Sequence, residues 1–393
     1  MTDPGDSIAV YVHWPYCARI CPYCDFNVVR DRGWREEQAV LVEAILCDLE
    51  AQGAMLGPRP LASIFFGGGT PSLMRAEDVA RVIDRARALF PGGAVEITLE
   101  ANPTDAEAAH FAALREAGVN RLSPGVQALD DAQLRFLGRN HSADEARRAI
   151  AVAAGVFDRL SIDLIYALPG QTVAAWTAAM TEALSMGFEH VSPYQLTIAE
   201  GTAFARATER GSLVPPDEDT AADLYEATQT VLGKAGFEAY EVSNHARDAA
   251  ARSSHNLHVW RGGDYVGVGP GAHGRLTLDG VRTATVAHRR IADYVEGVAA
   301  GTPWSERETQ DARGAAEERL LLGLRTVEGV AVTDLAPLGL SPDAEPVSGL
   351  IADGFLARAE GRLAATGKGR PVLDAVLKAL LTWSSLGRRS VAR

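Results

Sequence analysis

The sequence predicts an α/β fold, a partial (βα)6-type barrel followed by a small C-terminal α+β domain of the winged-helix type. Short apolar β-rich runs alternate with amphipathic helical stretches from residue 8 to about residue 200, and at least six such units follow one another. Repeated units of this length imply a parallel sheet with right-handed crossovers. The alternation breaks at Pro215-Pro216. We therefore expect the barrel over residues 1–215, an extension over 216–303 and the C-terminal domain over 304–393.

Hydrophobic periodicity places the individual elements. Strands are predicted at residues 8–14, 62–66, 95–99, 120–126, 159–166, 190–197 and 238–243, and helices at 34–52, 76–89, 104–117, 142–154, 172–186, 218–235, 288–300, 311–328 and 371–383. Thr104-x-x-Glu107 and Ser142-x-x-Glu145 are capping-box patterns, and Thr172 is a predicted N-cap. The stretch 244–288 is rich in Gly, His and Ser, which predicts irregular structure.

Composition and charge restrict the classes of partner. The chain is 47% hydrophobic and 23% charged, as expected for a globular protein. Its net charge of −13 argues against nucleic acid, because phosphate binding needs clustered cations. There is no apolar run of membrane-spanning length, and the first residues lack the features of a secretory signal. We expect a cytoplasmic protein without a membrane span, in a compartment where thiols stay reduced.

Three of the four cysteines form the cluster Cys17-x-x-x-Cys21-x-x-Cys24, directly after the first predicted strand. Thiolates are suitable ligands for zinc or for an iron–sulfur cluster. A structural zinc site normally has four protein ligands, and only His13 lies nearby as a fourth. Three thiolates on a [4Fe–4S] cluster leave one iron open for another molecule. The spacing favours the cluster. Cys47 lies in the middle of a predicted helix, and we expect its side chain to pack in the protein core.

The CxxxCxxC spacing after a first strand, with Tyr23 before the last cysteine, resembles the radical S-adenosylmethionine (SAM) superfamily. The resemblance implies that the open iron binds SAM and that reductive SAM cleavage is possible. It also implies that Gly67-Gly68-Gly69-Thr70, after the second strand, receives the SAM amino group. Asp163 lies inside an apolar run, where an unpaired charge is costly and calls for a partner or ligand. The SAM contacts implied in this way are Tyr11, Tyr23, Gly68, Gly69, Thr70, Glu100, Gln127, Arg139 and Asp163.

Further motifs resemble the oxygen-independent coproporphyrinogen III oxidase family within that superfamily. They are Phe66-Gly67-Gly68-Gly69-Thr70-Pro71-Ser72, Gly125-Val126-Gln127, Leu137-Gly138-Arg139-Asn140-His141, the run from Ile162 to Thr172, and Tyr194-Gln195-Leu196-Thr197. This family has an oxidase branch and a haem-chaperone branch. The oxidase has a further cysteine two residues after the third, where this chain has Phe26. The oxidase also has a long segment before its cysteines, and only sixteen residues precede Cys17 here. Both differences favour the chaperone branch.

The chaperone branch has a haem-binding HNxxYW motif, and this chain has His255-Asn256-Leu257-His258-Val259-Trp260. His, Asn and Trp match, whereas Val259 replaces the tyrosine. Neutral imidazole is a common haem ligand, so the resemblance implies haem contacts at His255 and Trp260. His258 is a second candidate ligand.

The sequence therefore predicts a haem chaperone that uses a [4Fe–4S] cluster and SAM and delivers haem to an acceptor protein, with an electron donor for the cluster. Two alternatives remain open at this point. One is the coproporphyrinogen III oxidase, which decarboxylates propionates by radical chemistry and which the motifs disfavour. The other is a non-catalytic binding module stabilised by zinc.

Overall fold

The computed structural model describes residues 6–93, 95–105 and 108–391. Residues 1–5, at which the absence of a secretory signal was predicted, and Glu107 of the first predicted capping box lie outside this part of the chain. None of the described helices is long and apolar enough to cross a bilayer.

The barrel region consists mainly of alternating strands and helices. Its elements are β1 (Ile8–Trp14), β2 (Tyr16–Cys17), β3 (Val29–Arg30), α1 (Arg35–Leu56), β4 (Leu61–Gly68), α2 (Ala76–Leu89), β5 (Glu96–Ala101), α3 (Ala108–Glu116), β6 (Arg121–Pro124), α4 (Asp131–Phe136), α5 (Ala143–Ala154), β7 (Arg159–Tyr166), α6 (Val173–Leu184) and β8 (His190–Gln195). The two short strands β2 and β3 are inserted after β1, and two helices lie between β6 and β7. The next elements are α7 (Ala203–Glu209), α8 (Glu218–Lys234), β9 (Glu238–Ala239), β10 (His245–Ala246), α9 (Ser254–Trp260), β11 (Asp264–Val268), β12 (His273–Leu278), β13 (Val281–Ala287), α10 (Ile291–Ala299) and β14 (Trp304–Thr309).

Within the described residues, the main sheet has 12 strands in the order β14-β13-β12-β11-β1-β4-β5-β6-β7-β8-β10-β9. Its six central strands, β1 and β4 to β8, are parallel neighbours. β8 does not pair with β1, so these strands form the predicted partial (βα)6 barrel, and the α/β fold class is confirmed. On the other side of β1, β11 pairs in parallel and continues into an antiparallel meander, β12 to β14.

Local sequence accounts for several of these boundaries. Leu41, Ile45 and Leu49 recur at helical spacing on α1 and are fully buried against the sheet. The predicted capping box of α5 is present, because Ser142 accepts from the backbone of Glu145 and the Glu145 carboxylate accepts in return. The predicted N-cap of α6 is also confirmed.

Three sequence-based predictions are wrong. Residues 244–288 were predicted to be irregular, but they contain regular elements: α9 and the strands β10, β11, β12 and β13. Their Gly and His residues lie in turns and in close contacts between strands. Composition alone cannot distinguish such residues from those of an irregular loop. Of the predicted strand 238–243, only β9 (Glu238–Ala239) forms, and the chain then turns back into β10, which pairs antiparallel with β9. Cys47 is exposed on α1, since the helix turns Leu41, Ile45 and Leu49 towards the core instead.

The C-terminal region packs around its own apolar cluster, as expected for a winged-helix-like α+β unit. Its elements are α11 (Ala312–Gly323), β15 (Val330–Ala331), α12 (Glu345–Ala352), β16 (Leu356–Ala359), β17 (Arg362–Ala365) and α13 (Leu373–Val391). The three strands form a separate sheet in the order β15-β17-β16. Leu320, Leu335 and Leu380 are fully buried in this second core.

A buried polar junction ties α10 and the end of β11 to α1. The Tyr294 hydroxyl donates to Oδ2 of Asp48 at 2.7 Å and accepts from the backbone N–H of Gly269 at 2.9 Å. Gln52 donates to Oδ1 of the same carboxylate at 2.9 Å. Burial raises the pKa of Asp48 to about 6, against the opposing effect of these hydrogen bonds.

We expect Tyr294→Phe to lower the free energy of unfolding by about 1–3 kcal/mol, because it leaves Oδ2 of the buried Asp48 carboxylate and the Gly269 N–H without their partner. Urea denaturation followed by circular dichroism measures the change. An unchanged m value identifies it as a loss of stability. A change below about 0.5 kcal/mol, the range of an ordinary surface substitution, contradicts the structural role of this junction.

Candidate functional site

The carboxyl ends of the six parallel strands meet at one edge of the partial barrel, and the predicted site residues lie along that edge. The cysteine loop follows β1, and Gly68 ends β4. Glu100 lies near the end of β5, Gln127 follows β6, and Asp163 lies on β7. Ligand sites of parallel α/β folds lie at this end of the strands.

The three clustered cysteines lie in a loop that is held at both ends. Its start pairs with β3, where Asp31 donates its backbone N–H to the Cys17 carbonyl at 2.8 Å. The Thr70 side chain hydrogen-bonds the Cys17 thiol. Arg139 approaches the Cys21 sulfur to 3.4 Å through Nη1 and donates to the Gly125 carbonyl through Nη2 at 2.8 Å. The loop is therefore attached to β3, to the turn after β4 and to the segment after α4.

Burial raises the pKa of two of these thiols, Cys17 and Cys24. It raises the pKa of Cys17 to about 11, although the hydrogen bond from Thr70 opposes the shift. It also raises the pKa of Cys24, against a hydrogen bond from the backbone N–H of Phe26. Metal binding to such thiols releases their protons, which makes it pH-dependent.

The glycines after β4 allow two backbone segments to approach closely. Gly68 has φ +106°, and a Cβ atom there would lie 2.6 Å from the His13 ring. A Cβ on Gly69 would lie 2.6 Å from the Tyr16 carbonyl oxygen. The Thr70 N–H donates to that same oxygen at 2.8 Å. Glycine at 68 and 69 thus lets the β4 turn lie against the residues just before Cys17.

Two buried carboxyl groups, Glu100 and Asp163, lie within the barrel. Burial, together with the charge of Asp163, raises the pKa of Glu100 to about 8. Burial raises the pKa of Asp163 to about 6, and hydrogen bonds from Ser192 and Ser123 oppose this shift. At neutral pH the Glu100 carboxyl is therefore mostly protonated and can donate a hydrogen bond to a ligand.

Gln127 has a left-handed backbone, with φ +67°, which costs about 1–3 kcal/mol in a residue other than glycine. Its N–H donates to the Asp163 carbonyl at 2.8 Å, and its own carbonyl accepts from Ile165 at 2.8 Å. Two hydrogen bonds to β7 hold this conformation and keep Gln127 beside Asp163. No sequence pattern indicated the strained backbone.

A cavity of about 620 Å³ opens between the barrel edge, α9 and the antiparallel meander. This is within the range of about 300–1,000 Å³ that is usual for ligand sites. Tyr11, Glu100, His255 and Trp260 line it, so the structure brings these four predicted residues together. The lining residues that the sequence did not predict include His13, Asn27, Tyr194, His273 and Arg289. They come from separate segments and belong to no shared motif.

His255 is fixed in the cavity wall from both sides. Its Nδ1 shares a hydrogen bond with the Ser63 hydroxyl at 2.9 Å, and its backbone N–H donates to Glu96 at 3.2 Å. The Phe65 ring lies 5.0 Å from the imidazole. Burial lowers the pKa of His255 to about 3, so the imidazole is neutral at physiological pH.

The other residues of the HNxxxW segment differ in their placement. His258 does not line the cavity, and its buried Nε2 donates to the Asp264 carbonyl at 2.7 Å. Its contact is therefore structural, and it joins α9 to β11. Val259 and Trp260 both line the cavity, and the Trp260 ring lies 6.1 Å from that of Tyr240. The replacement of tyrosine by Val259 thus falls on the cavity wall.

Comparison with known proteins gives consistent matches. The model of the radical SAM superfamily matches residues 11–183, and that of the HemN C-terminal domain matches residues 310–372. A mouse protein, "Radical S-adenosyl methionine domain-containing protein 1, mitochondrial", is 39% identical over 95% of this chain and 87% of its own length. "Heme chaperone HemW" from Mycobacterium tuberculosis is 37% identical over 96% of both chains. The chain belongs to the HemW family of radical SAM proteins.

A solved structure with the same fold is that of the Escherichia coli coproporphyrinogen III oxidase HemN. It is 20% identical, has a TM-score of 0.79, and the match covers 97% of this chain and 91% of that one. At this identity the match establishes only the shared fold.

HemW-family membership implies a [4Fe–4S] cluster and SAM, and the residues present fit the cluster. Cys17, Cys21 and Cys24 are free thiols close enough to influence one another electrostatically. Across the described segments, no three His, Cys, Asp or Glu side chains are arranged to hold a single metal ion. Cluster thiolates bind separate irons and so need not converge on one point. Cys17, Cys21 and Cys24 would hold the cluster, and a bound cluster would supply electron transfer to SAM.

His13 does not fit the zinc alternative. Its Nε2 lies 2.8 Å from the Asn27 carbonyl, which can only accept, so Nε2 is the protonated nitrogen. Its Nδ1 then accepts from the Tyr11 hydroxyl at 3.0 Å. Both ring nitrogens are engaged, and neither is free to ligate a metal.

We expect Ala substitution of Cys17, Cys21 or Cys24 to abolish the visible absorbance of the cluster after anaerobic reconstitution, because each removes one of three thiolates. Cys47→Ala is the matched control, since Cys47 is exposed on α1 and is not part of the loop. Iron and sulfide analysis provides a second measurement. Equal cluster content in all four variants excludes the assigned ligands.

Proposed function

We propose that this protein is a haem chaperone, which binds haem in the cavity between the barrel edge and α9 and transfers it to an acceptor protein. In this proposal His255 is the iron ligand and Trp260 packs against the porphyrin. The cavity supplies a neutral imidazole, several aromatic side chains and a volume of about 620 Å³.

The observation that most supports this function is the orientation of His255. An imidazole that ligates a metal through one nitrogen is usually held by a hydrogen bond at the other. Ser63 makes such a bond at Nδ1, so Nε2 is the nitrogen left for iron. The backbone bond to Glu96, itself paired with Arg159 at 2.8 Å, anchors the start of α9. The ligand position is thus set before haem arrives.

The barrel has a separate part in the proposal. Arg139, Tyr23 and Thr70 surround the cysteines, while Gly68, Gly69, Gln127 and Asp163 lie around the strand ends beside them, and we propose all of these as contacts to SAM or the cluster. Tyr11 and Glu100 lie between the two sites and line the haem cavity as well.

The proposed organisation keeps the division into barrel (1–215), haem-binding extension (216–303) and C-terminal domain (304–393). An electron donor reduces the cluster, and an acceptor protein takes the haem. We propose a cytoplasmic location, by analogy with the bacterial members of the family.

We expect His255→Ala to weaken haem binding by more than about tenfold, because it removes the iron ligand. Titration of ferric haem followed at the Soret band measures the affinity and the ligation state. His110→Ala is the matched control, since His110 lies on α3 and does not line the cavity. If His255→Ala and wild type bind haem with equal affinity and the same spectrum, His255 is not the ligand.

Haem ligation through His255 is expected to be insensitive to pH between about 8 and 6. Protonation competes with iron for the imidazole only as the pH approaches the pKa of about 3 that burial imposes. An ordinary histidine, with a pKa of about 6.5, would become protonated across this interval and would then bind the iron less well. Spectra of the haem complex at each pH measure ligation, and a transition centred near pH 6.5 contradicts the assignment.

A further inference from the structure

Phe26 is an exposed aromatic side chain on the rim of the haem cavity. Its side chain is 62% exposed, and it lines the cavity beside Asp25 and Asn27. It follows the last cluster cysteine by two residues. A large apolar side chain with this exposure gains contact area when a flat aromatic ligand fills the cavity.

The backbone of the same residue contacts the cluster loop. The Phe26 N–H hydrogen-bonds the Cys24 sulfur. Hydrogen bonds to cluster sulfurs and the exposure of the cluster to solvent both affect its reduction potential. One residue therefore reaches the haem cavity through its ring and a cluster ligand through its backbone.

The next residue fixes the loop to the far wall of the cavity. Nδ2 of Asn27 donates to the carbonyls of Pro270 and Arg289, each at 2.8 Å. Its own carbonyl accepts from His13 at 2.8 Å. These three hydrogen bonds fix Asn27 in place. A displacement of the Phe26 ring therefore moves the backbone on the other side of Phe26, towards Cys24.

We propose that Phe26 packs against haem in this cavity and couples haem occupancy to the iron–sulfur cluster through the Phe26–Cys24 contact. This inference rests on the proposed haem-binding function and adds to it a link between the two cofactors. Bound haem covers Phe26 and removes water from the Cys24 side of the loop. Reduction adds negative charge to a cluster that three thiolates already make anionic, so the loss of water disfavours the reduced state. Haem binding therefore lowers the cluster potential.

Thermodynamic reciprocity makes the coupling measurable from either side. If haem lowers the potential, the oxidised cluster must favour haem binding by the corresponding factor. A tenfold preference equals a shift of about 59 mV for one electron.

The experiment compares wild type, Phe26→Ala and Phe26→Trp as full-length, anaerobically reconstituted proteins with SAM at fixed concentration. Ferric haem titrations give the affinity. Zinc protoporphyrin, whose metal does not change oxidation state, is the probe for potential, and the reduced cluster is followed by electron paramagnetic resonance. Alanine keeps the backbone N–H, so the cluster still assembles in the variant. Trp34→Ala is the control, because Trp34 is 54% exposed and lies outside the cavity.

In wild type we expect the zinc porphyrin to lower the cluster potential by about 59 mV, which corresponds to the tenfold preference. Phe26→Ala is expected to bind haem about tenfold more weakly and to lose most of the shift in potential. Phe26→Trp restores both properties, and Trp34→Ala changes neither.

The outcomes separate this inference from the function on which it rests. If wild type binds haem and Phe26→Ala has the same affinity and the same shift, the role of Phe26 is refuted while the chaperone function stands. A shift that persists in Phe26→Ala despite weaker binding refutes the coupling through Phe26. Failure of wild type to bind haem refutes both proposals.

Discussion

Parallel pairing of β1 with β4, and of each following barrel strand with the next, is the constraint on which the site depends. Parallel strands place their carboxyl ends at the same edge, so residues up to 150 positions apart in the chain become neighbours there. The cysteine loop, the glycine turn, Glu100 and Asp163 all lie at this edge as a consequence. β11 adds to β1 in the same parallel direction, and its carboxyl end therefore leads into the wall of the cavity beside α9.

Buried charges link the strands to α9. Glu96 on β5 pairs with Arg159 on β7 and accepts the backbone N–H of His255 at the start of α9. The carboxylate thus satisfies a helix N-terminus and an arginine together. Burial opposes ionisation of Glu96, but Arg121, Arg159 and the helix backbone keep its pKa below the usual value. For Glu100 on the same strand, burial and the charge of Asp163 outweigh the Gly68 hydrogen bond and the charge of Arg121, so its pKa is raised and it is mostly protonated at neutral pH. Two carboxyl groups on one strand therefore have different roles, one in anchoring α9 and one facing the cavity.

The cysteine loop and the cavity beside α9 share one short segment of chain. Cys24 belongs to the cluster site, while Asp25, Phe26 and Asn27 line the cavity. The segment is fixed at Asn27 by hydrogen bonds to the loop after β11 and to the start of α10. This arrangement gives a physical basis for coupling between an iron–sulfur cluster and a haem site in one protein.

The sequence by itself determined the six barrel strands, the helix caps at Ser142 and Thr172 and the cysteine loop, because these depend on periodicity, capping and ligand spacing within short segments. It also indicated His255, through a local motif. Tertiary structure alone decided that residues 244–288 complete the main sheet, that Cys47 is exposed and that His258 has a structural role, because each depends on which distant segment packs opposite. The same reason explains why Asn27, Arg289 and the strained backbone of Gln127 were not predicted. Their surroundings are assembled from strands far apart in the chain, and no pattern within a short window records that neighbourhood.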